Sequence, residues 1–228
     1  LFYIYRLRHR VDMEQQLSNI KLRFFTDISH ELRTPLTLIS TPVTEVLEHE
    51  PLTPTAKEHL TLVQKNTNRM LELINQILDF RKIQNKKMKV LVEETEITTL
   101  LSKIADCFQL IAEEKRIDFG IQNETGEVLL WVDKDKFEKI FYNLISNAFK
   151  YTPSGKSITI KIATQTEYIT ISVIDEGIGI HPQKLNSLFQ RFETLSNRNM
   201  LQSSSGIGLS LVRELVELHH GSIEVTSE

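Results

Sequence analysis

The 228-residue chain has one cysteine, Cys107, so no disulfide can close within it and a reducing compartment is the expected setting. It has no run of about 18 or more apolar residues, the length that spans a bilayer, so no segment is expected to cross a membrane. It has no basic excess either. Lys and Arg number 27 against 30 Asp and Glu, a formal net charge of −3, which excludes the usual nucleic-acid-binding class. Glycine is missing from residue 6 to residue 49. The length allows one large domain or two modest ones, each with its own core.

The first ten residues, "LFYIYRLRHR", run a few large apolar side chains into Arg6, Arg8 and Arg10. That pattern suits the cytoplasmic end of a membrane helix, and equally an ordinary helix start with three exposed arginines. As it stands the stretch is too short to anchor anything.

In the glycine-free region, Ile20, Phe24, Ile28, Leu32, Leu36, Ile39, Val43 and Val46 recur three or four apart, which predicts a long helix. "EPLTPT" at 50–55 interrupts it with two prolines, and Thr53 or Thr55 can cap a helix starting there. Leu60, Val63, Thr67, Met70, Ile74 and Ile77 then mark a second helix with a coiled-coil type seam. Two helices alone cannot enclose a core, so the expected solution is a symmetric dimer in which two hairpins form a four-helix bundle.

"RKIQNKKMKV" (81–90) reads as a helix end and linker, with a domain boundary near residue 88. Beyond it, helical spacing returns at Leu100, Leu101, Ile104, Phe108 and Ile111. Alternating runs at 117–121, 158–162 and 169–173 predict strands with one buried face. Helices are expected at about 133–149 and 208–219. Helices with mostly antiparallel strands predict an α+β two-layer sandwich.

Three groups of residues carry possible chemistry: a polar helix stripe, two glycine-pair stretches and a His-Glu pair. Asn143, Asn147 and Lys150 fall on one stripe of the 133–149 helix, opposite Phe137, Ile140, Phe141, Leu144, Ile145 and Ala148. Two amides and an ammonium can offer oxygen to a metal and positive charge to phosphate, although a solvated face has the same composition. In "VIDEGIGI" (173–180), Asp175 ends a strand before Gly177 and Gly179, where a carboxylate can accept from an exocyclic amine and glycines allow close approach. In "SSSGIGLSLV", Gly206 and Gly208 open a helix whose free amides suit phosphate. Neither glycine pair is a P-loop or a dinucleotide fingerprint. The residues between them show no clear periodicity, as in a mobile lid. The third group is His30 and Glu31 in "FFTDISHELRTPLTLI" (24–39), a reactive pair with Pro35 one turn beyond.

The order of these stretches resembles the sensor histidine kinases. "FFTDISHELRTPLT" is similar to their H box, and "NLISNAFKYT", "DEGIGI", "LFQRF" and "GIGLSLVRELVELHHG" to their N, G1, F and G2 boxes. The resemblance runs from about residue 17 to the C-terminus. It implies a dimerisation and histidine-phosphotransfer hairpin (17–86) after a signal-input segment (1–16), followed by a Bergerat-type ATP-binding domain (87–228) whose C-terminal end is truncated.

Residue by residue, the resemblance implies that Asn147 coordinates Mg2+ and Lys150 contacts phosphate. Tyr151 packs near adenine and Asp175 binds its amine. Gly177, Gly179, Gly206 and Gly208 shape the pocket, and Phe189 and Phe192 pin the lid. Asn143 stands where related ATPases carry a glutamate that activates water, and an amide cannot serve as that base. ATP is thereby kept for His30, with Glu31 sharing the proton of its other ring nitrogen. Pro35 is expected to bend the helix below His30. Thr34 matches the position that orients water for dephosphorylating a partner. The implied activity is autophosphorylation on His30 and transfer to the aspartate of a response-regulator receiver domain, with phosphatase activity towards that regulator as a further capacity. The implied setting is a homodimer on the cytoplasmic side of the inner membrane, attached only through an absent upstream segment, this fragment being soluble.

Two positions depart from the family pattern: Ser204 replaces the first G2 glycine, and Thr194 replaces an arginine, leaving Arg198 as the candidate γ-phosphate contact. Two other readings stand beside the kinase: a nucleotide-binding dimer scaffold, and a Bergerat ATPase working as a conformational clamp, against which Asn143 argues. His9, His49, His59 and His181 are expected at loops or exposed helix positions. His219 and His220 are expected at a helix C-terminus as partly cationic imidazoles.

Overall fold

The computed structural model describes residues 27–84, 88–164, 168–185, 187–189 and 208–227. The chain divides into two compact units, Leu1–Met88 and Lys89–Glu228.

The first unit is a helical hairpin. Helix α1 covers 27–49, and α2 runs Pro54–Gln84. The Thr53 hydroxyl accepts from the Ala56 amide at 3.3 Å, so of the two candidate caps Thr53 fills the role, with Pro54 at the first helical position. Helix α1 continues unbroken through Pro35 and also through Pro42, seven residues on. Thr34 and Thr41, each just before a proline, donate their hydroxyls to the carbonyls of His30 and Thr37 at 3.1 and 3.0 Å.

Polar pairs fix the register of the hairpin. Arg33 donates to Asn75 at 2.6 Å, Ser40 to Asn68 at 3.2 Å, and Gln64 to Thr44 at 2.8 Å. Each step along α1 between these pairs is matched by an equal step back along α2. Ser29, Thr67, Ile74 and Leu78 are buried between the helices. The expected apolar stripes are therefore only partly used within one hairpin: Leu32, Ile39, Val63 and Met70 are 41–55% exposed. One helix covers only a narrow stripe of its neighbour, and the rest of each apolar face is left without cover.

The second unit contains two sheets. Strand β1 (Glu93–Glu96) pairs antiparallel with β3 (Leu129–Val132). The other sheet has the order β2-β4-β5, from Asp118–Asn123, Ser157–Thr164 and Ile169–Asp175. β4 and β5 are antiparallel and β2 and β4 parallel, so with β1 and β3 the pairings are mostly antiparallel, as expected. The chain between β2 and β4 passes through β3 and α5 (Lys134–Tyr151), the long crossover that parallel strands require. The expected run 100–111 is two helices, α3 (Ile97–Asp106) and α4 (Gln109–Lys115). The short α6 (Pro182–Leu185) and then α7 (Gly208–Leu218) complete the elements.

Ile158, Ile160 and Ile162 alternate along β4 and are all 0% exposed. With Ile97, Leu101, Ile145, Leu211, Val212 and Leu215 they form the core between sheet and helices. Each such aliphatic side chain contributes roughly 1.5–3 kcal/mol on burial. At the start of α3, the Glu96 carboxylate caps the helix by accepting from Thr98 and Thr99 amides at 3.0 and 2.6 Å, and also accepts from the Val128 amide at 3.2 Å. These bonds, that to Thr99 foremost, hold its pKa down to about 2 against the opposing effect of burial. Among the described residues no helix is long and apolar enough to cross a membrane.

Candidate phosphoacceptor and nucleotide sites

In the hairpin, His30, Glu31 and Thr34 are all exposed on α1. An exposed imidazole with an adjacent carboxylate can meet a reactant without unfolding its helix. The Thr34 hydroxyl spends its proton on the His30 carbonyl, and its oxygen lone pairs remain able to accept from a water. Proline at 35 has no amide proton to give the carbonyl of Glu31, so one helical bond is missing within a turn of His30.

In the second unit, α5 carries Asn143, Asn147, Lys150 and Tyr151, all half-buried. The Asn143 amide donates to the Lys139 carbonyl at 2.8 Å, which fixes its side-chain rotation. Its Oδ1 lies where a Cβ on Gly208 would come to 2.9 Å, so the first residue of α7 sits directly against it. No hydrogen bond to the Asn147 side chain exists among the described residues, and its amide oxygen is available to a ligand. Lys150 Nζ stands 5.3 Å from the centroid of the Tyr151 ring, a cation–π distance.

The turn after β5 is tied to the end of α5. Asp175 Oδ1 accepts from the Gly177 amide at 2.9 Å, and the Ile178 amide donates to the Tyr151 carbonyl at 3.2 Å. Asp175 is exposed, and its second carboxylate oxygen can accept from outside the protein. The two glycines of this turn serve different needs. A Cβ at Gly177 would meet Asp175 Oδ1 at 2.4 Å and the Tyr151 carbonyl oxygen at 3.1 Å, so the position has no room. Gly179 has φ 70°, a left-handed conformation that costs any other residue.

The structure thus brings Asn143 to Gly208, and Gly177 and Ile178 to Tyr151, with Asp175 bonded to Gly177. Leu188 is buried and Phe189 half-buried in the turn beyond α6. Gly206, Arg198, Phe192, Ser204 and Thr194 lie outside the described residues, as do Ile20, Phe24 and His9.

Several partners of this site have no local signal in the sequence. The Glu176 carboxylate accepts from the amide and hydroxyl of Ser157 at 2.9 and 3.1 Å, pinning the turn to β4. Those two bonds, with Lys156 nearby, depress its pKa. The Ile180 amide donates to the Ser227 hydroxyl at 2.8 Å. His219 corrects an expectation. It does sit at the end of α7, with Nδ1 2.7 Å from the Leu215 carbonyl, but its Nε2 accepts the Asp133 amide at 3.1 Å. A nitrogen that accepts an N–H carries no proton, so the ring is the neutral Nδ1–H tautomer rather than a partial cation. His220 takes a left-handed φ of 60°, and the Gly221 amide closes on the Val216 carbonyl at 3.0 Å, a Schellman cap.

Comparison with known proteins agrees with this layout. The family model for the His Kinase A (phospho-acceptor) domain matches residues 20–86, and that for histidine kinase-, DNA gyrase B- and HSP90-like ATPases matches residues 132–228. A phospho-acceptor hairpin followed by an ATPase-type domain is the class that fold and matches define. The chain belongs to the sensor histidine kinases.

It is 36% identical to histidine kinase P4 of Formosa agariphila over 96% of this chain and 17% of that protein. It is 34% identical to sensor histidine kinase TmoS of Ectopseudomonas mendocina over 97% and 23%. It is 30% identical to sensor histidine kinase YclK of Bacillus subtilis over 98% and 47%. The chain spans less than half the length of these three relatives. Among solved structures, full-length ShkA in complex with AMPPNP superposes with TM-score 0.74 at 23% identity, over 90% of this chain and 42% of that one. Histidine kinase AdeS of Acinetobacter baumannii superposes with TM-score 0.62 at 20% identity, over 87% and 91%. At these identities the two structures speak to the fold alone.

Proposed function

We propose that this chain is the ATP-dependent autokinase of a two-component system, phosphorylating His30 and passing the phosphoryl group to an aspartate of a response regulator. A ring nitrogen of His30 attacks the γ-phosphorus. The bond from that phosphorus to the β–γ bridging oxygen breaks and ADP leaves, while Glu31 takes up hydrogen bonding to the proton on the other ring nitrogen. The aspartate carboxylate then displaces the imidazole from phosphorus.

The observation that carries this reading is Asn143. It lies against the start of α7 on the helix that also bears Asn147, where a water-activating enzyme needs a carboxylate. With no base there, a bound ATP is spared from water and left for an exposed histidine on the same chain. In this reading Asp175 accepts the adenine amine, Tyr151 packs near the base, and Lys150 contacts phosphate. Gly177, Gly179, Gly206 and Gly208 shape the pocket, and Arg198 meets the γ-phosphate.

No cluster of three or more His, Cys, Asp or Glu able to hold a metal ion exists among the described residues. One amide oxygen, from Asn147, together with phosphate oxygens and water suits Mg2+, which would neutralise charge on the phosphates when bound. The half-exposed stripes with Leu32, Ile39, Val63 and Met70 support a homodimer of hairpins. The parent protein is read as reaching the membrane through an upstream segment, with this part on the cytoplasmic side.

The test is incubation with γ-labelled ATP and Mg2+. The expected label is acid-labile, base-stable and absent from His30→Gln; label persisting in that variant overturns the assignment of His30.

A further inference from the structure

Helix α7 is pinned to α5 at both ends. At one end Gly208 abuts Asn143, and at the other His219 takes the amide of Asp133. Asn143 and Asp133 stand about 15 Å apart along α5, and Gly208 and His219 about 16 Å along α7, so the antiparallel helices match in length. Asp133 is itself a junction. It is 4% exposed, and its carboxylate accepts from the Lys136 amide at 3.2 Å, from Lys136 Nζ, and from the Leu91 amide at 2.8 Å. Leu91 is the third residue of the second unit, which begins at Lys89.

We propose that His219 is a positioning residue for the nucleotide site: its neutral ring locks α7 in register on α5 and joins the segment entering the domain, at Leu91, to the Asn143–Gly208 contact. This rests on the reading of Asn143 and Gly208 as part of that site. Nδ1–H is satisfied by the Leu215 carbonyl, which aims Nε2 at the Asp133 amide. A proton on Nε2 would set donor against donor and end the bond.

The Asp133 carboxylate is engaged by Lys136 and Leu91, while the Asp133 amide is held by the ring. Removing the ring acceptor is therefore expected to loosen both the helix register and the Leu91 segment, and nucleotide affinity with them.

The whole chain, wild type and variants, is titrated with AMPPNP and Mg2+ at one pH. His219→Ala, which removes the acceptor, should bind about five-fold or more weakly than wild type, the lower end of typical site-to-site coupling. His219→Gln keeps an acceptor near the Nε2 position and should restore most of that loss. A glutamine variant as weak as the alanine variant, or an alanine variant binding as tightly as wild type, overturns the proposal. Hydrogen exchange of the Leu91 amide without nucleotide is the second readout: faster in His219→Ala than in His219→Gln at one pH supports the lock, and equal rates overturn it. If no protein binds AMPPNP, the reading of the nucleotide site falls, and Leu91 exchange still decides the lock.

Discussion

Gly208 faces Asn143 so closely that a methyl group on its Cα would stand 2.9 Å from Oδ1 of the amide. The atom in the way is the end of a side chain, so Gly208→Ala should fold with a nearly unchanged melting temperature while Asn143 turns aside. If Asn143 serves the phosphate site, AMPPNP binding should fall about ten-fold, equivalent to ~1.4 kcal/mol. Calorimetric titration beside a thermal melt separates the two effects. Unchanged affinity would remove this contact from the site.

Asp175 is the expected source of base selectivity. Asp175→Asn replaces a charged acceptor by a mixed donor-acceptor group and should cost about 1.5–3 kcal/mol of ATP binding. GTP, with a carbonyl in place of the amine, should bind poorly to the wild type. Competition of ATP and GTP for the wild-type protein tests this, and equal affinities would take Asp175 out of adenine recognition.

Glu31 and Thr34 should divide their work. Glu31→Gln cannot share the imidazole proton as a carboxylate does and should slow autophosphorylation by about 10² or more. Thr34→Ala removes only a hydroxyl already bonded to the His30 carbonyl, so autophosphorylation should persist while removal of phosphate from the regulator slows. Paired rates on dimers checked by sedimentation test the division. Loss of autophosphorylation in an intact Thr34→Ala dimer would contradict it.

Glu96 ties α3 to the amide of Val128 and should make the second unit sensitive to acid. Its folded pKa, about 2, lies below the ordinary 4.5, so the folded state favours the ionised form. That contribution is complete above about 4.5, declines as pH falls below it, and is gone once pH passes below about 2. Glu96→Gln should be less stable than wild type at neutral pH, with the difference narrowing across this window. Denaturant melts at several pH values would reveal it.

His220 holds a left-handed backbone at the end of α7, where a residue with a Cβ is strained by about 1 kcal/mol or somewhat more. His220→Gly should therefore raise the unfolding free energy by up to about that amount, visible as a higher denaturant midpoint with an unchanged slope.

Much of this protein is legible in the sequence, for local reasons. The order of five short motifs placed it in its family. Alternation at Ile158, Ile160 and Ile162 marked a strand with a buried face, and those residues are fully buried. The helices expected at about 133–149 and 208–219 are found at 134–151 and 208–218.

Tertiary structure decided what depends on residues far apart in the chain. β2 lies parallel to β4 because an intervening crossover brings them together, and the acidic "EETE" became a strand only by pairing with Leu129–Val132. Gly177 and Gly179 look alike in the sequence. One is glycine for want of space beside Asp175 and Tyr151, and the other for its φ of 70°. His219 read as a helix-end cation until the Asp133 amide, 86 positions away, took its second nitrogen and made it neutral. A side chain's protonation state depends on the partners that folding brings to it, and no local pattern in the sequence records them.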